Sequence, residues 1–69
     1  MKFGVTRNRV YNYICDYWDE HGYAPAFRDI ADGLNLSLAT ITFHVNSLRK
    51  DGRIKYDPKI SRSLVVLDK

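Results

Sequence analysis

The sequence predicts a mainly α (α+β) chain in which three helices precede a short β-hairpin, and three observations support this. Val10, Ile14 and Trp18 recur at four-residue spacing, the period of one helix face. Two shorter apolar stripes, Ile30-Ala31-Leu34 and Ile41-Val45-Leu48, flank the tight turn Leu34-Asn-Leu-Ser37. After Gly52 the pattern becomes strand-like in Arg53-Ile-Lys-Tyr56 and Arg62-Ser-Leu-Val-Val-Leu67.

The first helix is expected over residues 6–20, with Thr6 as its N-cap and Tyr13 and Tyr17 flanking the apolar stripe. His21-Gly22 ends it, because glycine accepts the left-handed conformation that closes a helix. Tyr23-Ala24-Pro25 should be extended, as residues before proline prefer, and could add a third strand to the hairpin. The second helix covers residues 27–33. Asn35 then supplies the positive φ angle that the turn needs. Ser37 caps the third helix, residues 38–50, with Leu36 and Ile41 placed as a hydrophobic staple. Gly52 stops that helix. Wing strands are expected over residues 53–56 and 62–67, joined by a loop around Pro58.

Composition narrows the functional classes. A chain of 69 residues makes one domain, burying roughly 60% of its unfolded surface and leaving no room for a second, catalytic one. The single Cys15 excludes an internal disulfide and suits a reducing cytoplasm, such as a bacterial cytoplasm or nucleoid. Apolar runs are too short for a membrane span, and Met-Lys-Phe-Gly-Val lacks the apolar core of a signal peptide. The net charge of +3 is unevenly placed: residues 1–36 carry four basic and five acidic side chains, residues 37–69 seven and three. The excess begins with the third helix, which points to a polyanionic partner.

Two short helices joined by a tight turn, with their apolar stripes facing each other, are how a chain presents a helix to the major groove of DNA. Together with the hairpin, the order of motifs resembles the amino-terminal DNA-binding domain of LexA-type repressors, and more broadly the winged helix-turn-helix family. The resemblance rests on Gly22-Tyr-Ala-Pro25, Phe27-Arg-Asp-Ile-Ala31, Thr40-Ile41, His44-Val45, Leu48, Gly52-Arg-Ile54, Asp57-Pro58-Lys59 and Arg62. It implies a winged helix with a two- or three-stranded wing. Three departures stand out. The turn before Ser37 is one residue shorter than is usual in LexA. Ala26 stands where the family often caps the second helix with Thr or Ser, a loss of about 1 kcal/mol, partly offset by Asp29 in the first turn. The family's protease domain, with its Ser/Lys dyad, does not lie within these residues, so neither self-cleavage nor the dimerisation that domain supplies is expected.

On a 3.6-residue wheel Ile41, Val45 and Leu48 face inward, and Ala39, Thr40, Thr42, Phe43 and Asn46 form the expected base-reading set. Asn46 can pair with adenine, and Thr42 and Ala39 can meet thymine methyls. Ser37 and Thr40 also suit phosphate contacts at the helix N-terminus. With no Arg or Lys in the set, readout should favour A·T pairs. Phe43 suits a thymine-methyl contact, a wedge or a protein partner, unless it tucks against the wing or first helix. Arg28, Ser37, Arg49, Lys50, Arg53, Lys59 and Arg62 are the backbone-contact candidates, Lys55 adding to the charge. Each of these residues can equally be an ordinary solvated surface side chain, and Arg28 can pair with Asp32.

The remaining features offer little chemistry. Cys15, His21 and His44 have no metal-like spacing, and no nucleophile has a plausible partner base, so neither catalysis nor a metal, cofactor or small-molecule ligand is expected. His44 reads as a packing or capping histidine. Tyr11, Tyr13, Tyr17, Trp18 and Tyr23 crowd the first helix and its exit. One helix cannot bury them all, so part of this surface is a candidate protein contact. The expected function is a sequence-specific regulator of double-stranded DNA, a repressor, acting as a homodimer through that aromatic surface. Its small size suggests a phage or mobile-element setting. The alternative is a winged-helix interaction module for RNA polymerase or a host regulator.

Overall fold

The computed structural model describes residues 3–67, with side chains from Thr6 onward. Helices α1 (Phe3–His21), α2 (Phe27–Leu34) and α3 (Leu38–Lys50) are followed by strands β1 (Ile54–Lys55) and β2 (Val65–Val66). The strands pair antiparallel, Ile54 opposite Val66 and Lys55 opposite Val65. This is a winged helix-turn-helix. The three predicted stripes meet in one core of Val10, Ile14, Ile30, Ala31, Ile41, Val45 and Leu48, closed below by Ala24, Ile54 and Leu64. A fully buried Ile or Leu contributes about 1.5–3 kcal/mol, so this cluster holds α3 at a fixed angle to α1 and α2.

Local chemistry sets the helix ends. Asn35 adopts φ 58°, and the amides of Leu36 and Asn35 bond the Ala31 and Asp32 carbonyls, a Schellman closure of α2. The same closure ends α3, where Gly52 (φ 78°) and Arg53 bond Arg49 and Leu48. Ser37 Oγ accepts from the Thr40 amide at 3.1 Å and caps α3. Ala26 offers no such acceptor; instead the Asp29 carboxylate accepts from the Ala26 amide at 3.0 Å, one half of a capping box.

Several expectations are corrected. Helix α1 starts at Phe3, so Thr6 is an interior residue and not its N-cap, since nothing in the preceding residues forbids helical backbone. Helix α2 runs one residue further, to Leu34. The strands are shorter than 53–56 and 62–67. Arg62 has a left-handed backbone (φ 57°), and the Leu64 carbonyl accepts from Trp18 Nε1 at 3.1 Å on α1, so neither residue joins a ladder. One further bond, Leu67 N–H to the Arg53 carbonyl at 2.8 Å, extends the pairing. Tyr23-Ala24-Pro25 forms no third strand; the Ala24 carbonyl accepts from the Arg62 guanidinium at 3.2 Å, a side chain in place of a strand partner.

Candidate nucleic-acid interface

The outward side of α3 is exposed along Ala39, Thr42, Phe43, Arg49 and Lys50. Phe43 is 57% exposed rather than tucked away, and its ring meets that of the neighbouring His44 edge to face, centroids 5.4 Å apart. Thr40 is half-buried. Its hydroxyl accepts from Ser37 Oγ at 2.9 Å while its amide donates to the same oxygen. The Ser37 hydroxyl is thus engaged as both donor and acceptor, which limits what it can offer to a phosphate, while Thr40 keeps its own O–H to donate.

Asn46 is half-buried and tied to the wing: its Oδ1 accepts from the Tyr56 hydroxyl at 2.7 Å. The Tyr56 ring is held edge-on by Phe27, centroids 5.2 Å apart, and carries the Arg49 guanidinium 5.0 Å from its centroid. Tyr56 therefore joins α2, α3 and the wing. The signal for this in the sequence is the alternation from buried Ile54 through exposed Lys55, which turns the next side chain inward.

The wing loop is built on Asp57. Its carboxylate accepts from the Lys59 amide and its carbonyl from the Ile60 amide, at 2.9 and 3.0 Å, while Ser63 Oγ bridges the Asp57 amide and carbonyl. The turn leaves Lys59 and Ile60 exposed. Between this loop, the start of α2 and Thr42 lies an open cleft of about 390 Å³, lined by Phe27, Tyr56, Pro58 and Leu64 among others.

The cations divide into two groups. Arg28, Arg49, Lys50 and Lys59 are exposed, and Arg28 makes no ion pair with Asp32. Arg62 and Arg53 are engaged by the protein's own groups, Arg62 while still exposed. Arg62 lies 2.9 Å from the Asp29 carboxylate, donates to the Tyr17 hydroxyl and the Ala24 carbonyl, and sits 5.3 Å from the Tyr23 ring centroid. The Ala26 amide, followed by the Arg62 charge, holds the Asp29 carboxyl below its ordinary range. Arg53 stacks 4.0 Å from the Tyr11 ring centroid on α1. These two guanidiniums fasten the wing and the end of α3 to the helices.

A third arginine, Arg7, carries a signal the sequence did show: a cation on the stripe that continues to Val10 and Ile14. It bonds Ser47 Oγ at 3.1 Å and forms an ion pair with Asp51. His44 is buried, and burial, helped by the Arg7 charge, pushes its imidazole pKa down. It packs in the core as expected. The aromatic surface of α1 is largely internal: Tyr11, Tyr13 and Trp18 pack on the core. Tyr17 and His21 stack 4.1 Å apart, and of the five aromatics only Tyr23, at 48%, belongs to the exposed class. Among the described residues no group of three or more His, Cys, Asp or Glu could hold a metal ion, and no helix is long and apolar enough to cross a membrane.

With this geometry in view, comparison with known proteins is decisive. Residues 4–63 match the family described as LexA DNA binding domain. The chain belongs to the LexA DNA-binding domain family. It is 41% identical over 66 residues to the LexA repressor of Koribacter versatilis, an alignment covering 91% of this chain and 31% of that protein. It is 36% identical over 63 residues to the LexA repressor of Clostridium botulinum, covering 90% and 31%, and equally identical to that of Thermosipho melanesiensis, covering 91% and 32%. This LexA-family domain thus spans about a third of the length of the curated relatives it matches. Within it, α2 and α3 are joined through Asn35, Leu36 and Ser37, a turn that closes both helix ends.

Proposed function

We propose that this chain binds double-stranded DNA sequence-specifically, as the operator-reading part of a transcriptional repressor. The observation that carries this is the outward stripe of α3. Ala39, Thr42 and Phe43 have no part in the core, yet they lie on a helix whose other side is locked by Ile41, Val45 and Leu48. A helix fixed on one side and carrying the uncharged Ala39, Thr42 and Phe43 on the other, with Arg49 and Lys50 toward its end, fits a groove, and the family of which the chain is a member is described by DNA binding. In this reading Ala39, Thr42, Phe43 and Asn46 meet base edges. Arg28, Arg49, Lys50 and Lys59 grip phosphates. A single module of this size buries little DNA surface, so two copies on a two-fold-related site are expected to act together, with Tyr23 and its neighbours offered for self-contact.

A second reading is favoured by the exposure of Phe43, Leu38 (44%) and Ile60 (60%), apolar side chains that suit a protein partner. A gel shift with random duplex at rising salt separates the two. A DNA binder loses affinity steeply as salt erodes counterion release. No binding at low salt sinks the DNA reading and leaves the protein-interaction one. Selection from a random duplex pool would then define the operator.

A further inference from the structure

Tyr56 occupies an unusual place: it lies just after β1, yet all its described contacts reach to α2 and α3. The Phe27 edge and the Arg49 guanidinium hold its ring from two elements, which leaves the hydroxyl one direction, toward Asn46 Oδ1 at 2.7 Å. An asparagine side chain offers one carbonyl acceptor and two N–H donors. With the carbonyl turned to the wing, the N–H donors are what Asn46 presents outward, on the stripe that continues Ala39 and Thr42. We infer that Tyr56 is a specificity-determining positioning residue, which makes Asn46 a hydrogen-bond donor to the groove. This rests on the DNA-binding reading above.

The consequence differs from what Asn46 alone would imply. A free asparagine pairs bidentately with adenine, accepting from N6 and donating to N7. A pinned one turns its N–H donors to the groove and its carbonyl away, and so favours any base edge with an acceptor facing it: purine N7, guanine O6 or thymine O4. Cytosine, which offers the groove an N4 donor, is disfavoured. The wing therefore sets the chemistry of a base-reading residue that it does not itself carry.

The test is selection from a random duplex pool by the wild-type chain, Tyr56→Phe, Asn46→Ala and the double variant, with thermal unfolding run in parallel. Tyr56→Phe keeps the ring and its packing and removes only the hydroxyl. Freed from Tyr56, Asn46 should gain preference for adenine at one operator position, by roughly fivefold or more, the scale of a completed bidentate pair. Asn46→Ala should flatten that position, and Tyr56→Phe should then change nothing further. Tyr56→Leu, a second variant lacking the hydroxyl, should shift the same position. The inference is overturned if Tyr56→Phe leaves every base preference unchanged, or if its effect persists without Asn46. Failure of the wild-type chain to bind any duplex at low salt overturns the DNA reading itself, a result distinct from either.

Discussion

The engagement of Arg62 by Asp29 and Tyr17 makes a quantitative prediction about salt dependence. Each phosphate neutralised contributes about 0.9 to the slope of log affinity against log salt. If all six predicted cations gripped phosphates, the slope would approach about −5.4 per chain. The structure commits Arg62 to Asp29 and Tyr17, and Arg53 to Tyr11. Of the six, Arg28, Arg49, Lys50 and Lys59 remain, so the expected slope is about −3.6 per chain. Lys59→Ala should reduce its magnitude by about 0.9, so the variant's affinity deficit should shrink by about 3.5-fold between 50 and 200 mM salt. Arg62→Gln should leave the slope unchanged and lower affinity by a similar factor at every salt concentration, because it loosens the wing and releases no counterion. Fluorescence anisotropy of a labelled operator duplex across that range measures both. If Arg62→Gln flattens the slope as much as Lys59→Ala does, Arg62 leaves Asp29 for a phosphate on binding and the reasoning fails.

Two further predictions concern the scaffold. A Cβ at Gly33 would lie 2.4 Å from the Tyr13 ring, so Gly33→Ala must displace that ring. Overpacking costs about 1–3 kcal/mol against about 1 kcal/mol of helix propensity gained. The melting temperature should fall, whereas Gly33→Ala on a Tyr13→Leu background should raise it; a rise in both backgrounds would show that Tyr13 moves freely. His44 has a lowered folded-state pKa, from burial and then Arg7, so below about pH 6.5 the unfolded chain takes up a proton that the folded chain resists. Stability should therefore decline as pH falls through that value and level off below the folded pKa. Urea unfolding across pH 5–8 should show this slope, and His44→Gln should remove it.

The parts of the fold legible in the sequence are those fixed by chemistry within a few residues. Asn35, Ser37 and Gly52 mark helix ends because a left-handed residue or a hydroxyl acts on amides three to five positions away. The apolar stripes were legible for the same reason, since period alone decides which side is buried. Arg62 was not. As a cation in a wing it reads as a phosphate contact, and only the tertiary fold brings it to Asp29 and Tyr17, which lie far back in the sequence. The third strand failed in the same way, because a guanidinium took the Ala24 carbonyl that a strand would have used. Tyr56 was passed over since its partners come from two other elements. Arg7 could have been read, because a charge on an apolar stripe demands a partner across the packing interface.

These tertiary ties change what the wing is. A hairpin joined to the body only by its strands would move as an arm, and its residues would contribute to affinity independently of α3. Here the wing is anchored at both ends of its loop. Tyr56 fastens the outgoing end to Asn46 and Arg49 on α3, and Arg62 fastens the returning end to the α1–α2 corner. Trp18 holds the Leu64 carbonyl two residues beyond Arg62. Displacing the wing must therefore disturb the reading helix at Asn46 through Tyr56. With so few charges among Ala39, Thr42, Phe43 and Asn46, selectivity depends on how firmly they are held, and the tie to Asn46 belongs to the wing. Substitutions at Tyr56 and Arg62 should accordingly be non-additive in operator affinity, although no contact joining the two side chains is described.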